Sequence, residues 1–180
     1  MKKAAILLAL TLSTVLSAQK LATRSGYIKF YSHATVEDIE AENNQVSSVI
    51  DMETGAFAFL VPVKGFQFEK ALMQEHFNEN YMESGEYPKA SFKGTLAGYE
   101  KIKLDKDGTY PVTFNGIMNI HGTDKEIAEK GTITVKNGKV MLDSKFNLKP
   151  ADYGVEIPAS KKDNISSTLE VTVKMNYDKK

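Results

Sequence analysis

The stretch FQFEKALMQEHFNENYMESGEYPKASFKG, Phe66–Gly94, is the one place where a helical period interrupts a chain that otherwise alternates like β-strand. Leu72, Met73, His76, Phe77, Asn80 and Tyr81 recur at i, i+1, i+4, i+5, i+8 and i+9, which predicts one face of a helix of about three turns. Tyr87-Pro88 ends it, because the residue before a proline is pushed out of the α region. Alternation resumes at Ala90, so the middle of the chain reads strand, short helix, turn, strand. On that stripe Leu72 and Met73 are expected to pack, His76 to be at least half-buried, and Met73, Phe77 and Tyr81 to face inward.

Outward from this stretch the chain is a succession of amphipathic strands. Before it, Gly26–Tyr31 alternates through Ile28 and Phe30, and Val46–Met52 with Ala56–Lys64 reads as a hairpin across Glu53-Thr54-Gly55. Phe57, Phe59, Val61 and Val63 share a face, and Pro62 on the other parity points to an edge or bulge. Ser32–Asn44 is polar and acidic and reads as a solvated edge strand or loop. It lacks the Asp-x-Asp-x-Asp-Gly pattern of a calcium loop. After the helix come Ser91–Tyr99, Tyr110–Ile120, Glu126–Lys136, Lys139–Lys149 and Ile165–Tyr177. Asn137-Gly138 is the strongest hairpin signal, because a type I′ turn needs positive φ at both positions. Ala151–Asn164 is a longer loop. The fold class is therefore all-β: an antiparallel barrel of about eight strands in largely adjacent order, with one short helix inserted mid-chain.

Inward parity places Phe57, Phe59, Phe92, Phe114, Met118, Leu142, Phe146, Leu169 and Val171 around the interior. Small residues at Gly94, Gly98, Gly116, Gly131, Ser144 and Ser167 interleave with them. Glycines mark the bends a small barrel needs, or they keep its interior open. A barrel of about eight strands is just wide enough to be filled by side chains or to hold one small ligand. Both alternatives fit the pattern.

The chain has 180 residues, enough for one domain. Met1-Lys2-Lys3 followed by an apolar run from Ala4 to Val15 and small residues at Ser17 and Ala18 reads as a signal peptide over residues 1–18. The mature domain is then 19–180, periplasmic or secreted. No second hydrophobic run exists, so the mature chain has no integral membrane segment. There is no cysteine, hence no lipobox and no disulfide, and the fold must be held by its core. Removing Lys2 and Lys3 leaves 21 basic against 23 acidic side chains. That balance offers no basic field for nucleic acid. The three histidines, His33, His76 and His121, lack metal-ligand spacing, and His121-Gly122 reads as a turn. No nucleophile elbow occurs. No cofactor is implied, and the inward parity shows almost no acids, Glu129 near the expected end of a strand being the main candidate. Asn164-Ile165-Ser166 matches a glycosylation sequon.

A set of motifs in fixed order carries a resemblance. Gly65-Phe66-Gln67-Phe68 is followed by Leu72-Met73-x-Glu75-His76-Phe77-Asn78-Glu79-Asn80-Tyr81-Met82 and Tyr87-Pro88-Lys89-Ala90-Ser91-Phe92-Lys93-Gly94. Later come Gly116-x-Met118-x-Ile120-His121-Gly122-Thr123-Asp124-Lys125 and Asp152-Tyr153-Gly154-Val155. In these the chain resembles the YceI-like family, small secreted proteins with a lipocalin-like barrel, some of which bind polyisoprenoid lipids. The resemblance spans nearly the whole mature chain and departs near the front, where Ser32–Asn44 is polar and short. It implies a hydrophobic bore holding a polyisoprenoid or fatty chain, with no enzymatic activity. Phe66, Phe68, Phe77, Tyr81 and the Tyr87-Pro88…Phe92 re-entry should frame the bore or its mouth. Tyr153 should sit in the loop before the closing strand. The expected partner is a long-chain lipid, and a homodimer is compatible with this. The alternative is a non-enzymatic interaction or structural module whose barrel is filled by its own side chains.

Overall fold

The computed structural model describes residues 20–179, so the expected signal peptide over 1–18 lies outside the described residues. Nine strands form one antiparallel sheet: β1 (Lys20–His33), β2 (Asp38–Asp51), β3 (Ala56–Pro62), β4 (Gln67–Phe68), β5 (Lys89–Ala97), β6 (Gly108–Ile120), β7 (Thr123–Lys136), β8 (Lys139–Leu148) and β9 (Leu169–Lys179). Their order is β1-β9-β8-β7-β6-β5-β3-β2, and β1 also pairs with β2, which closes an eight-stranded barrel. The two-residue β4 continues the β3 edge, pairing with Ala41 and Glu42 of β2. No helix among the described residues is long and apolar enough to cross a membrane.

The front of the barrel departs from the sequence reading. Ser32–Asn44, expected as an edge strand or loop, is mostly strand but not an edge: most of it belongs to the 14-residue β2, which pairs with an equally long β1 on one side and with β3 and β4 on the other. Two bulges hide both strands from a period-2 reading. Inward residues of β1 run Leu21, Thr23, then Gly26, and those of β2 run Ala41, Asn43, then Val46. Each slip costs one register step and reverses the alternation. Asn43 is fully buried because its Nδ2 donates to the Pro62 carbonyl at 2.8 Å while its Oδ1 accepts the Gln45 N–H at 2.8 Å. A satisfied amide thus occupies a core position that looked like surface.

The helical segment spans residues 71–81 as the spacing predicts, but it is not one regular α-helix. α1 (Ala71–His76) gives way to a π-helical turn, Phe77–Tyr81. Leu72, expected to pack, is 61% exposed, and His76 is exposed rather than half-buried. At the far end of this segment the His121 Nε2 lies 2.8 Å from a Glu83 carboxylate oxygen, and the Tyr87 ring packs 4.5 Å from the imidazole. His121 and Gly122 have φ of 51° and 73°. They make the β6–β7 turn to which the helical segment is latched.

The connections β2–β3, β5–β6 and β7–β8 gather at one end of the barrel. The β1–β2 loop, the helical segment and residues 149–168 gather at the other. The first end is filled. Leu21, Ile50, Leu96, Ile133, Leu142 and Met175 are essentially inaccessible there. The filled end also holds a polar pair, Ser48 Oγ and Tyr177 Oη, 2.8 Å apart and both buried. Burial pushes the Tyr177 phenol pKa well above its ordinary value. Ser48→Ala should strand that hydroxyl and cost about 1–3 kcal/mol, whereas Ser48→Ala with Tyr177→Phe should recover most of the loss, both read by urea unfolding.

Candidate functional site

The helix end of the barrel is open inside. Side chains of seven strands surround an inner chamber of about 170 Å³ with almost wholly apolar walls. One water needs about 10–15 Å³, so the space would take many atoms of a ligand. The inward rows are small at Ala90 of β5 and Ser144 of β8, both on the lining.

Ten residues expected around the bore line this chamber: Phe59, Phe66, Phe77, Phe92, Phe114, Met118, Leu142, Phe146, Leu169 and Val171. Phe57 does not. It is wedged edge-on between Phe92 and Phe114, with ring centroids 4.9 and 5.0 Å away, and belongs to the packed core. Phe68 and Tyr81 line a second chamber, a vestibule of about 210 Å³ beneath the helix. Phe30, Phe77, Met82, Ile120, Leu148 and Leu169 line both chambers. The Phe30 and Phe77 rings stack at 5.6 Å, and Phe66 and Phe68 pack against them. This aromatic cluster partitions the two spaces. The sequence reading found the strand carrying Ile28 and Phe30 but did not carry either residue into the bore. Only the closure of β1 onto β9 and β2 brings them there.

Tyr153 faces neither chamber. Pairing between β7 and β8 runs from Lys136↔Lys139 to Gly131↔Ser144 and stops, leaving Thr123–Lys130 of β7 without a β8 partner. Ser144 Oγ donates to the Lys130 carbonyl at 2.6 Å at the last paired position. A 3₁₀ turn, Pro150–Tyr153, crosses back against β7 beyond it. Lys125 Nζ pairs there with Asp152 and lies 6.0 Å from the Tyr153 ring centroid. Burial, with the nearby Asp152 and Glu129 carboxylates, pushes the Tyr153 phenol to about 12. Ser167, assigned inward by parity, is exposed, because β9 begins only at Leu169.

Glu129 is the one titratable side chain on the inner chamber. It lies in the middle of β7 opposite Phe114, not near a strand end. Desolvation raises its carboxyl pKa. The other polar side chains on that lining are Ser91 and Ser144, and the Ser144 Oγ is committed to the Lys130 carbonyl, so no second acid or base accompanies Glu129 among the described lining residues.

The vestibule is different in character. Its apolar walls are interrupted by Ser32, Glu37, His76, Lys161 and Asn164. The arrangement is amphipathic along its length, with a dry chamber inside and a polar-edged chamber at the mouth. Together the two spaces reach the lower part of the range for small-molecule sites, roughly 300–1,000 Å³.

A model of the YceI-like domain matches residues 19–177. A search of curated proteins found no match. Solved structures with the same fold include a polyisoprenoid-binding domain from Saccharophagus degradans implicated in plant cell wall breakdown. It superposes with a TM-score of 0.73 at 16% identity, covering 89% of this chain and 98% of that one. Burkholderia cenocepacia BcnA gives 0.68 at 14% identity over 84% and 95% of the two chains. The Campylobacter jejuni YCEI protein gives 0.61 at 15% identity over 82% and 90%.

Proposed function

The chain belongs to the YceI-like family, and from that premise we propose that it binds a long-chain hydrophobic ligand, a polyisoprenoid or fatty-chain amphiphile, and carries or sequesters it in the periplasm. The observation that carries this reading is the inner chamber. Its apolar wall adjoins a polar-edged vestibule across the Phe30–Phe77 partition, and six residues line both spaces. A hydrocarbon tail leaving water for that chamber gains about 0.8 kcal/mol per buried methylene. A polar head then stays at the mouth, where it keeps its hydrogen bonds.

The rival reading, a barrel filled by its own side chains, describes the end holding Ile50, Leu96 and Ile133 but not the end beneath the helix. Binding without catalysis is further supported by the isolation of Glu129. The basic start, the apolar run and Ala18 support export, with cleavage near that residue. The polyisoprenoid-binding domain of S. degradans shares the fold and supports a lipid as ligand.

Native mass spectrometry of protein purified from its own host, and gently delipidated protein reloaded with geranylgeraniol, test the reading. A co-purified hydrophobic adduct or stoichiometric reloading is expected. A ligand-free mass together with no uptake of added isoprenoid or fatty alcohol would rule it out.

A further inference from the structure

We propose that the vestibule is a subsite for an anionic head group, so that the ligand is a long-chain amphiphile ending in a carboxylate or a phosphate. This rests on the tail-binding reading of the inner chamber. The polar side chains of the vestibule divide into those already engaged and those left over. Glu37 accepts Lys70 Nζ at 2.6 Å, which neutralises its charge. Ser32 Oγ accepts the Ser166 N–H at 2.9 Å. Lys161, His76 and Asn164 use no side-chain atom in a hydrogen bond or ion pair among the described residues. All three can donate. Lys161 is therefore the uncompensated charge of this chamber, flanked by two neutral-capable donors and by no free acid on the lining.

The backbone that carries Lys161, whose side chain is exposed at the mouth, is held in place. Lys161 N–H bonds the Pro158 carbonyl at 2.8 Å, and its own carbonyl receives the N–H groups of Asn164 at 3.0 Å and Ile165 at 2.9 Å. The same loop is strapped to the β1–β2 connection by Val36 N–H to Asp163 O at 2.9 Å. Two vestibule residues are thus fixed relative to Lys161 by backbone. An oxyanion placed among these donors makes charge-assisted bonds, which are about twice as strong as neutral ones. A head group there lies one aromatic partition, Phe30 and Phe77, from the space for its tail.

The test uses delipidated mature protein and displacement of N-phenyl-1-naphthylamine by two matched pairs: palmitate with hexadecanol, and geranylgeranyl phosphate with geranylgeraniol. At least one anion should bind about tenfold more tightly than its own alcohol. Lys161→Gln should erase that preference while moving the alcohol by less than twofold, and Lys161→Arg should keep it. A preference confined to the phosphate pair identifies prenyl phosphates as the source, and one confined to the carboxylate pair identifies fatty acids. Equal binding of anion and alcohol to the wild type, or an equal loss of both in Lys161→Gln, would overturn the proposal while leaving the bore intact. Failure of all four probes to bind would instead bring down the tail-binding reading, and this one with it.

Discussion

Gly116→Ala is expected to destabilise the barrel by about 3 kcal/mol, at the upper end of what overpacking a core costs. Gly116 of β6 pairs directly with Gly94 of β5. A methyl group added at Gly116 would stand 2.2 Å from the Lys93 carbonyl oxygen and 2.8 Å from the Gly94 Cα. At Gly94 it would stand 2.0 Å from the Asn115 carbonyl oxygen. These neighbours are backbone, so no side-chain rotation relieves the clash and the two strands must move apart. The effect should be graded by what each glycine faces. Gly131→Ala meets the ends of two side chains, Phe114 Cε2 at 3.0 Å and Leu142 Cδ1 at 3.2 Å, and the Asp143 carbonyl oxygen only at 3.3 Å, and should cost about 1 kcal/mol. Gly85→Ala meets nothing within 4 Å and should be neutral. Gly94→Ala combined with Gly116→Ala should cost less than the two singles together, because one separation of the strands serves both. Urea unfolding reads the series, with roughly 1–3 kcal/mol per molar as the slope. A Gly116→Ala midpoint equal to that of wild type would show that the β5–β6 approach is not a constraint of the fold. The glycine pair lets this wall bend, and the bend brings Phe92, Phe114 and Met118 around one space.

That pair illustrates what could be read in advance. The alternation from Tyr110 to Ile120 is unbroken, so it announced both the strand and its inward face. Asn137-Gly138 announced its turn, which takes φ of 51° and 76°. Where the chain departs from a simple period, legibility fails for definite physical reasons. The bulges in β1 and β2 reverse parity, and Asn43 puts an amide in the core through a bond to Pro62, a contact between residues 19 apart. On the helix, Met73, Phe77 and Tyr81 reach the chambers as their spacing predicts, whereas Leu72, one position to the side, is left exposed. Parity also says which side chains point inward but not which of them meet. Phe57 and Phe59 are indistinguishable in sequence, yet one packs in the core and the other lines the chamber. Lys161 sits in a loop with no period at all, and only the strapping of that loop across the mouth brings it to the vestibule.

Ala90→Phe should abolish most ligand binding while leaving the barrel folded. Ala90 lies near the start of β5 opposite Val61 and lines the inner chamber as one of its smallest walls. A phenyl ring directed into that space would occupy the room of about four methylenes, so a tail excluded from it forfeits about 3 kcal/mol. That corresponds to roughly a hundredfold weaker binding. Filling a void rather than crowding a packed region should leave the unfolding midpoint unchanged or slightly raised. Leu72→Glu, on the exposed side of the helix, is the control and should change neither quantity. Titration of delipidated protein with geranylgeraniol and with palmitate decides the matter. Both should weaken together, because the ring removes tail space and leaves the Lys161 side of the vestibule untouched. Were Ala90→Phe to bind as wild type does, the tail would not enter the inner chamber, and the vestibule alone would be the binding site. Were it to weaken binding only of ligands with long tails, the onset of the loss along a series of shortened chains would measure how deep the tail reaches past Phe30 and Phe77.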